Sequence, residues 1–351
     1  MPATMSGVYL TRHGGPEALE WREDIPVPVP GAGDVLVKVL AAGVNNTDIN
    51  TRTGWYSKSV TGATDTGGAV DDIDSGGWSG ALKFPRIQGA DLCGEVVSTG
   101  ADVTAFSPGM RVTCGTNQPV PTSENPVAID VIGSEYDGAF AQYCKVPADR
   151  LHDVSASLLT DVEIGAMPCA FGTAMALIDR ASVADGETVL ITGASGGVGL
   201  AAVQLAALRG AKVIAQASGE KADAVRLAGA SEVLGRGETP GPHTINVAID
   251  LVGGPDWGKL IDALKPGGRY ATAGAIAGPM VEADLRTIYL NDLTIFGVTY
   301  QPAESFTALV DLINTGQIRP LVSKTYPLRQ IGDAQADFAA KVYPGKLVLL
   351  P

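Results

Sequence analysis

Short apolar runs separated by turn residues dominate the first 150 or so residues of the chain. The runs at 34–40, 94–97, 110–113 and 139–144 alternate or cluster apolar side chains over strand-like lengths. They predict a β-rich domain at the start of the chain.

The pattern changes further along, where four buried strands at 189–191, 212–215, 247–252 and 269–274 are separated by helical stretches. Such alternation predicts a doubly wound parallel sheet. A helix over 159–177, broken or offset at Pro168, leads into it. After Gly297 the pattern predicts helices over 303–315 and 331–341 and a closing strand over 346–350, which we expect to return to the first domain.

Residues 57–84 form a segment rich in glycine and aspartate with few apolar residues, and the pattern predicts a long exposed loop. Loops of this length are functional or disordered, and the sequence leaves both open. If the loop is a lid, Trp78 is its expected anchor, since it is an isolated large aromatic residue.

A glycine-rich turn lies between the strand at 189–191 and an amphipathic helix that follows. A pyrophosphate needs backbone N–H groups at close range and the positive end of a helix dipole, so the turn must lack Cβ atoms there. Gly196, Gly197 and Gly199 meet this need, although Ala194 stands where the usual fingerprint has its first glycine. The whole unit predicts a dinucleotide site.

Composition narrows the function classes. The chain has 351 residues, 45% of them hydrophobic, with a formal net charge of −13. It is long enough for two domains, and its charge disfavours nucleic acid and anionic membranes as partners. No stretch predicts a membrane span or a leader, so we expect a cytoplasmic protein. Four scattered cysteines fit reduced thiols.

In its series of short motifs, the chain resembles the zinc-independent quinone oxidoreductase branch of the medium-chain dehydrogenase/reductase superfamily. These motifs are His13-Gly14-Gly15-Pro16-Glu17, Gly43-Val44-Asn45-Asn46-Thr47-Asp48, the run 89–97, the run 137–143, the glycine turn and Gly345-Lys346-Leu347-Val348-Leu349. The resemblance implies an α/β protein with a GroES-like catalytic domain (1–158 and 301–351) and a Rossmann NADP-binding domain (159–300). We also expect a homodimer.

The resemblance also indicates whether the chain has the residues to bind zinc. Zinc-dependent relatives have a cysteine where Asn45 stands, a His-Glu pair where Ala90-Asp91 stand, and a further cysteine near Cys169. One retained thiol does not build a zinc site, which needs several nitrogen or sulfur ligands. Closely spaced cysteines for a structural zinc are missing between Cys114 and Cys144. We therefore expect no metal.

The residue at the end of the second Rossmann strand contacts the adenine ribose, and a carboxylate there favours NAD. Ala217 stands at this position and is followed by Ser218 and Lys221, so NADP(H) is the predicted cofactor. The resemblance adds Arg236 and Lys341 as phosphate contacts, with a role as surface cations left open. The full predicted cofactor-binding set is Asn46, Thr47, Thr173, Ser195, Gly196, Gly197, Val198, Gly199, Ser218, Lys221, Arg236, Leu251, Gly274, Ala275, Ile276 and Lys341.

Without a metal, the compatible chemistry is hydride addition to an already activated acceptor, a quinone or an α,β-unsaturated carbonyl compound. Hydrogen-bond donors aimed at the acceptor oxygen would lower the barrier. By resemblance the candidate catalytic residues are Asn45, Asp48, Asn50 and Tyr56. Tyr56 or solvent supplies the proton, and Asp48 orients its neighbours. Relatives often have tyrosine where Asn50 stands.

Two other functions remain open. An enoyl-thioester reductase would need a basic patch for the carrier phosphates, and the acidic residues at 65–74 argue against one. Relatives of this fold also serve as NADPH-binding structural proteins with little turnover. A zinc alcohol dehydrogenase is disfavoured by the missing ligands.

Overall fold

The computed structural model describes residues 1–64, 78 and 80–351. Among these, the chain divides into two compact units, the first containing 1–60, 78, 80–172 and 302–351, and the second containing 61–64 and 173–301. The sequence placed 159–172 with the nucleotide domain. They lie instead in the first unit, where Gly165 packs so closely on Ala41 that a Cβ would lie 2.7 Å from the Ala41 Cβ.

The strands are labelled in chain order. They are β1 (Thr4–Leu10), β2 (Leu19–Pro26), β3 (Asp34–Gly43), β4 (Arg86–Ile87), β5 (Cys93–Thr99), β6 (Arg111–Cys114), β7 (Asn117–Pro119), β8 (Ile129–Val131), β9 (Tyr143–Pro147), β10 (Leu151–Asp153), β11 (Thr188–Ile191), β12 (Lys212–Gln216), β13 (Glu232–Leu234), β14 (Ile245–Asp250), β15 (Leu264–Thr272), β16 (Thr294–Gly297), β17 (Val322–Pro327) and β18 (Lys346–Leu350).

The α-helices follow the same convention. They are α1 (Asn46–Thr53), α2 (Asp161–Ile164), α3 (Pro168–Arg180), α4 (Gly197–Leu208), α5 (Ala222–Leu227), α6 (Trp257–Ala263), α7 (Leu285–Leu290), α8 (Ala303–Asn314) and α9 (Ile331–Ala339). The helix predicted over 159–177 is thus two helices, and the second begins at Pro168, where a residue without an N–H is tolerated.

The first unit is built around β3, which pairs antiparallel with β5, β9 and β18 in a mixed sheet. Val35, Val37 and Val39 of β3 lie in one hydrophobic core with Val96 of β5 and Leu349 of β18. The closing strand β18 therefore returns to the first unit, as predicted. The strand predicted at 139–144 begins only at Tyr143.

Residues 140–142 bond to the segment 6–8 instead, which explains that later start. The Val8 N–H donates to the Phe140 carbonyl at 2.9 Å, and the Gln142 N–H donates to the Ser6 carbonyl at 3.0 Å. Gly7 permits this approach, because a Cβ there would lie 2.8 Å from the Cβ of Ala141.

The second unit is a parallel six-stranded sheet in the order β13-β12-β11-β14-β15-β16. This is the doubly wound arrangement that the alternating pattern predicted. The central strands β11 and β14 are almost wholly apolar and buried, as expected of a sheet covered on both faces. No helix among the described residues is long and apolar enough to cross a membrane.

Candidate active site

A buried polar cluster lies where β3 ends and α1 begins. Lys346 of β18 donates from Nζ to Asp91 Oδ2 at 2.9 Å and to the Val44 carbonyl at 3.0 Å. It also donates to Asn45 Oδ1. Lys346 and Asp91 are 2% and 0% exposed, so a complete ion pair is enclosed in the first unit.

Asn45 bridges the two charged residues. Its Nδ2 donates to Asp91 Oδ2 at 2.8 Å and to the Gly43 carbonyl at 3.4 Å, while its Oδ1 accepts from Lys346. Both amide hydrogens therefore have protein acceptors. The sequence predicted Asn45 as a hydrogen-bond donor to the substrate. In the structure its amide instead bonds to both Asp91 and Lys346 and fixes their positions.

Cys169 approaches the same cluster through its backbone. Its N–H donates to Asp91 Oδ1 at 2.6 Å, at the start of α3. Burial raises the pKa of the Cys169 thiol, as does the negative charge of Asp91, so the thiol is protonated at neutral pH. No group of three or more histidine, cysteine, aspartate or glutamate side chains in the described part of the chain could hold a metal ion.

Asp48 lies in the first turn of α1, fully buried. Its carboxylate accepts from the backbone N–H of Asn45 at 2.9 Å and of Ala90 at 3.2 Å. Burial raises the pKa of Asp48 to about 7, against the effect of the Asn45 N–H and with a contribution from the charge of Asp91. Asp48 thus fixes the turn between β3 and α1, and its predicted orienting role in catalysis stays a prediction.

Tyr56 and Asn50 lie together at the other end of α1. The polar side chains of Thr47 and Asn50 lie near the Tyr56 hydroxyl and act to lower its pKa. Burial outweighs them and raises the pKa of Tyr56 to about 12. Tyr56 is therefore a neutral donor at physiological pH.

Trp78 completes this group. Its ring centroid lies 4.6 Å from that of Tyr56, and its Nε1 donates to Thr47 Oγ1 at 3.0 Å. The sequence suggested Trp78 only as the anchor of a lid. Residues 65–77 and 79 of that predicted loop lie outside the described residues.

Two predicted cofactor residues of the first unit also meet. Lys341 Nζ donates to Asn46 Oδ1 at 3.1 Å and lies over the ring of Phe338. Lys341 follows α9, and its bond to Asn46 joins this late part of the chain to the start of α1. Of the predicted cofactor residues, Asn46, Thr47 and Lys341 belong to this unit, and the others belong to the second.

In the second unit, the glycine turn connects β11 to α4. Gly193 has a φ of +57°, and a Cβ at Gly199 would lie 2.5 Å from the Ala194 Cα, so both positions need glycine for the fold itself. A Cβ at Gly196 would meet nothing closer than 3.5 Å. Gly196, exposed at the N-terminal cap of α4, therefore leaves open the space in which a pyrophosphate could approach the backbone.

Ser218, Lys221 and Arg236 lie at the adjoining end of the sheet. Partial burial and the positive charge of Arg236 lower the pKa of Lys221, so the two cations are close enough to repel each other. Glu220 is exposed, and Glu238 accepts from the Gly235 N–H at 2.7 Å. An anion bound between Lys221 and Arg236 would relieve this repulsion.

A buried network at the ends of β11, β14 and β15 was missed by sequence reasoning. Asp250 accepts from Thr192 Oγ1, from the Tyr270 hydroxyl and from the backbone of Val252 and Gly253. It holds the loop that begins at Leu251. Its only sequence signal is an aspartate that ends an otherwise apolar strand.

The loop at 274–276 follows β15, and each of its residues is partly exposed. A Cβ at Gly274 would lie 3.0 Å from the Leu251 carbonyl oxygen, so Leu251 and Gly274 are neighbours. The Thr64 N–H donates to the Ile276 carbonyl at 3.1 Å. Thr173 lies on α3, and Ser195, Gly197 and Val198 belong to the glycine turn.

Comparison with known proteins agrees with this architecture. Residues 31–156 match the alcohol dehydrogenase GroES-like domain family, and residues 210–349 match the zinc-binding dehydrogenase family. The acryloyl-coenzyme A reductase of Metallosphaera sedula is 30% identical over 96% of this chain and 97% of its own length. The human quinone oxidoreductase is 29% identical over 99% and 98%.

Among solved structures, a putative alcohol dehydrogenase from Sinorhizobium meliloti is 41% identical, with a TM-score of 0.89 over 100% of this chain and 98% of that one. The chain belongs to the medium-chain dehydrogenase/reductase superfamily. Within it, the chain lies in the quinone oxidoreductase-like branch, and the protein is an oxidoreductase that uses a nicotinamide cofactor.

Proposed function

We propose that the protein is an NADPH-dependent oxidoreductase that transfers hydride to a quinone or an α,β-unsaturated carbonyl compound without zinc. The observation that carries this proposal is the set of hydrogen bonds that joins Asn45, Asp91 and Lys346 to one another. The residues that would ligate a metal in zinc-dependent relatives are here an amide with both hydrogens engaged and a carboxylate paired with an ammonium. A divalent cation at this place would face the positive charge of Lys346.

The chain also lacks the ligands that zinc needs at Asn45, Ala90 and Cys169. A neutral amide and an alanine replace two of the nitrogen and sulfur ligands that zinc prefers, and the thiol of Cys169 is protonated because burial raises its pKa. The matched family is named for zinc binding, yet the donor set of this chain does not fit the ion.

The preference for NADPH rests on Ser218, Lys221 and Arg236. The end of the second strand is the apolar Ala217, so no carboxylate occupies the ribose position. Two mutually repelling cations and a hydroxyl suit a 2′-phosphate. Gly196, at the open N-terminal cap of α4, would receive the pyrophosphate.

NADPH, when bound, would supply the hydride, and the residues of α1 would act on the acceptor oxygen. Tyr56 is a neutral phenol that can donate a hydrogen bond to this oxygen as negative charge gathers there. Asn50 and Thr47 orient the phenol, and Asp48 and Asn45 hold the start of α1 in place. Polar donors of this kind replace the Lewis acid of a metal enzyme only for an acceptor that is already electron-poor.

A second candidate, an enoyl-thioester reductase, is favoured by the 30% identity with an acryloyl-coenzyme A reductase. The chemistry at the carbonyl oxygen would be the same, since both acceptors pass through an enolate. The two candidates differ in the need for a cationic surface that binds the carrier phosphates.

We also propose a homodimer formed through the second unit. Strand β16 is the edge of its sheet, and large apolar side chains near it are exposed. These are Met280, Val281, Leu285, Tyr289, Leu290 and Ile295. Light scattering should give twice the chain mass, and Ile295→Lys should weaken the dimer.

The function is tested by following oxidation of NADPH and NADH with 1,4-benzoquinone, 2-cyclohexenone and crotonyl-coenzyme A, using protein treated with a chelator. We expect turnover with NADPH and the first two acceptors. Exclusive turnover of the thioester would favour the second candidate. A requirement for added zinc would overturn the proposal.

A further inference from the structure

Asp250 ends β14 in the second unit, and its buried carboxylate is surrounded by hydrogen-bond donors. Its Oδ1 accepts from the Thr192 hydroxyl at 2.6 Å and from the Val252 N–H at 2.9 Å. The Gly253 N–H lies 3.2 Å from each carboxylate oxygen, and the Tyr270 hydroxyl donates to Oδ2 at 2.6 Å. A buried carboxylate needs such donors, so the loop that supplies two of them is fixed to it.

Thr192 links this carboxylate to the first residue of the same loop. The Leu251 N–H donates to Thr192 Oγ1 at 2.9 Å. A backbone N–H cannot accept, so the oxygen of Thr192 is the acceptor and its single hydrogen is left for Asp250 Oδ1. Three successive N–H groups, those of residues 251–253, therefore end on Thr192 or Asp250. Because Thr192 directly precedes the glycine turn, the loop is joined to the turn that would receive the pyrophosphate.

The loop at 251–254 also contacts the loop that follows β15. The Ala277 N–H donates to the Val252 carbonyl at 2.8 Å. Gly253 has a φ of +62°, and a Cβ there would lie 3.0 Å from the Gly278 carbonyl oxygen. The carboxylate that fixes the first loop therefore also determines where the second loop packs.

The order of the strands indicates which half of a dinucleotide these two loops would hold. The order reverses between β11 and β14, with β12 and β13 on one side and β15 and β16 on the other. A dinucleotide binds across such a point, with one mononucleotide half on each side. The proposed 2′-phosphate contact Arg236 follows β13, which places the adenosine half on that side. The nicotinamide half then belongs at the ends of β14 and β15.

We infer that Asp250 is a positioning residue for the nicotinamide half of the cofactor. It is 0% exposed, so it acts through the backbone of the loop at 251–254, which it holds against Thr192 and the loop after β15. The inference rests on the proposed function only for the choice of NADPH. It predicts that loosening this loop weakens binding of the nicotinamide half and spares the adenosine half.

Thr192→Val tests this, because it removes the hydroxyl that joins Leu251 to Asp250 and keeps the shape of the side chain. Thr192→Ser retains the hydroxyl. The two ligands for calorimetric titration are NADPH and 2′,5′-ADP, which carries the adenosine and the 2′-phosphate but no nicotinamide. A hydrogen bond is worth about a factor of ten, so Thr192→Val should bind NADPH about 10-fold more weakly. Its affinity for 2′,5′-ADP should be unchanged, and Thr192→Ser should bind both ligands like wild type.

The matched control is Thr244→Val, which lies just before β14 at the opposite edge of the same sheet. Thr244 Oγ1 donates to the Gly241 carbonyl at 2.8 Å, so this variant also loses one hydrogen bond from a partly buried threonine. It should bind both ligands like wild type. Asp250→Asn is a second variant for the network, since it exchanges one acceptor oxygen for a donor, and it should show the same selective loss. If Asp250→Asn does not fold, Thr192→Val still decides the question.

Two results with Thr192→Val would overturn the inference. An equal loss of affinity for NADPH and 2′,5′-ADP would show general damage to the second unit, and an unchanged affinity for NADPH would show that the loop does not hold the nicotinamide half. Failure of the proposed function gives a different result, since wild type would then bind NADH more tightly than NADPH. In that case NADH and 5′-AMP replace the two ligands, and the same comparison of variants decides the role of Asp250.

Discussion

Lys346 Nζ lies 2.9 Å from Asp91 Oδ2, and both side chains are buried. The two residues are far apart in sequence, and β18 brings them together by pairing with β3. Burying either charge alone would cost several kcal/mol, so the pair exists only because Asn45, Val44 and the Cys169 N–H complete its hydrogen bonds.

The first prediction concerns the stability that depends on this pair. Lys346→Met leaves Asp91 buried without its cation and should lower the free energy of unfolding by about 3–5 kcal/mol. Urea denaturation followed by circular dichroism measures this. The control is Lys324→Met, because Lys324 pairs with Asp337 on the surface and its loss should lower stability much less. Similar losses in the two variants would contradict the electrostatic account.

The second prediction concerns metal. Dialysis against a strong chelator should leave both activity and melting temperature unchanged, since Asn45 and Ala90 supply no metal ligand and Lys346 already neutralises Asp91. Elemental analysis of the purified protein should find far less than one zinc per chain. Stoichiometric zinc would contradict the proposed mechanism.

Much of the fold was predictable, because each element carries its own local signal. Strand β11, the turn at Gly196 and helix α4 follow from apolar periodicity and glycine placement. The return of β18 to the first unit followed from topology. Predicted strand boundaries were wrong where contacts between residues distant in sequence decide them. Residues 140–142, for example, bond to the segment 6–8 rather than extending β9.

The site was less predictable than the fold. Asn45 was recognised by its place in a motif, but its role depends on Lys346 and Asp91, which lie 301 and 46 residues away in sequence. Asp250 and Tyr270 likewise meet only because neighbouring parallel strands end at one edge of the sheet. Spacing in a single sequence carries no signal for such pairs, whereas Asp48 and Asn50 share helix α1 and Tyr56 follows it by three residues, so their proximity could be expected in advance.

The third prediction concerns pH. The pKa of Asp48 is about 7 in the folded protein and about 3.9 in an unfolded chain, so the folded state binds the extra proton between these values. Asp48 therefore contributes stability at low pH that is lost as pH rises from about 4 to about 7, at up to about 1.4 kcal/mol per pH unit.

Urea denaturation at pH 5 and pH 7.5 checks this. The unfolding free energy of wild type minus that of Asp48→Asn should be larger at pH 5 than at pH 7.5. Asp284→Asn is the surface control: Arg286 lowers the pKa of Asp284, so its difference should not fall with rising pH. A difference between wild type and Asp48→Asn that stays constant with pH would show that Asp48 titrates normally.

The last prediction concerns cofactor choice. Arg236 and Lys221 lie close enough for the charge of Arg236 to lower the pKa of Lys221, and a 2′-phosphate between them would pair with both. Calorimetric titration should give tighter binding of NADPH than of NADH. Arg236→Ala removes the guanidinium that would pair with the phosphate, so the variant should lose most of the preference while leaving NADH affinity unchanged. The matched control is Arg226→Ala on α5, because Arg226 pairs with Asp223 on the surface and should retain the wild-type preference. Equal affinity of wild type for the two cofactors, or an equal effect of the two arginine substitutions, would contradict the assignment of Arg236 to the phosphate.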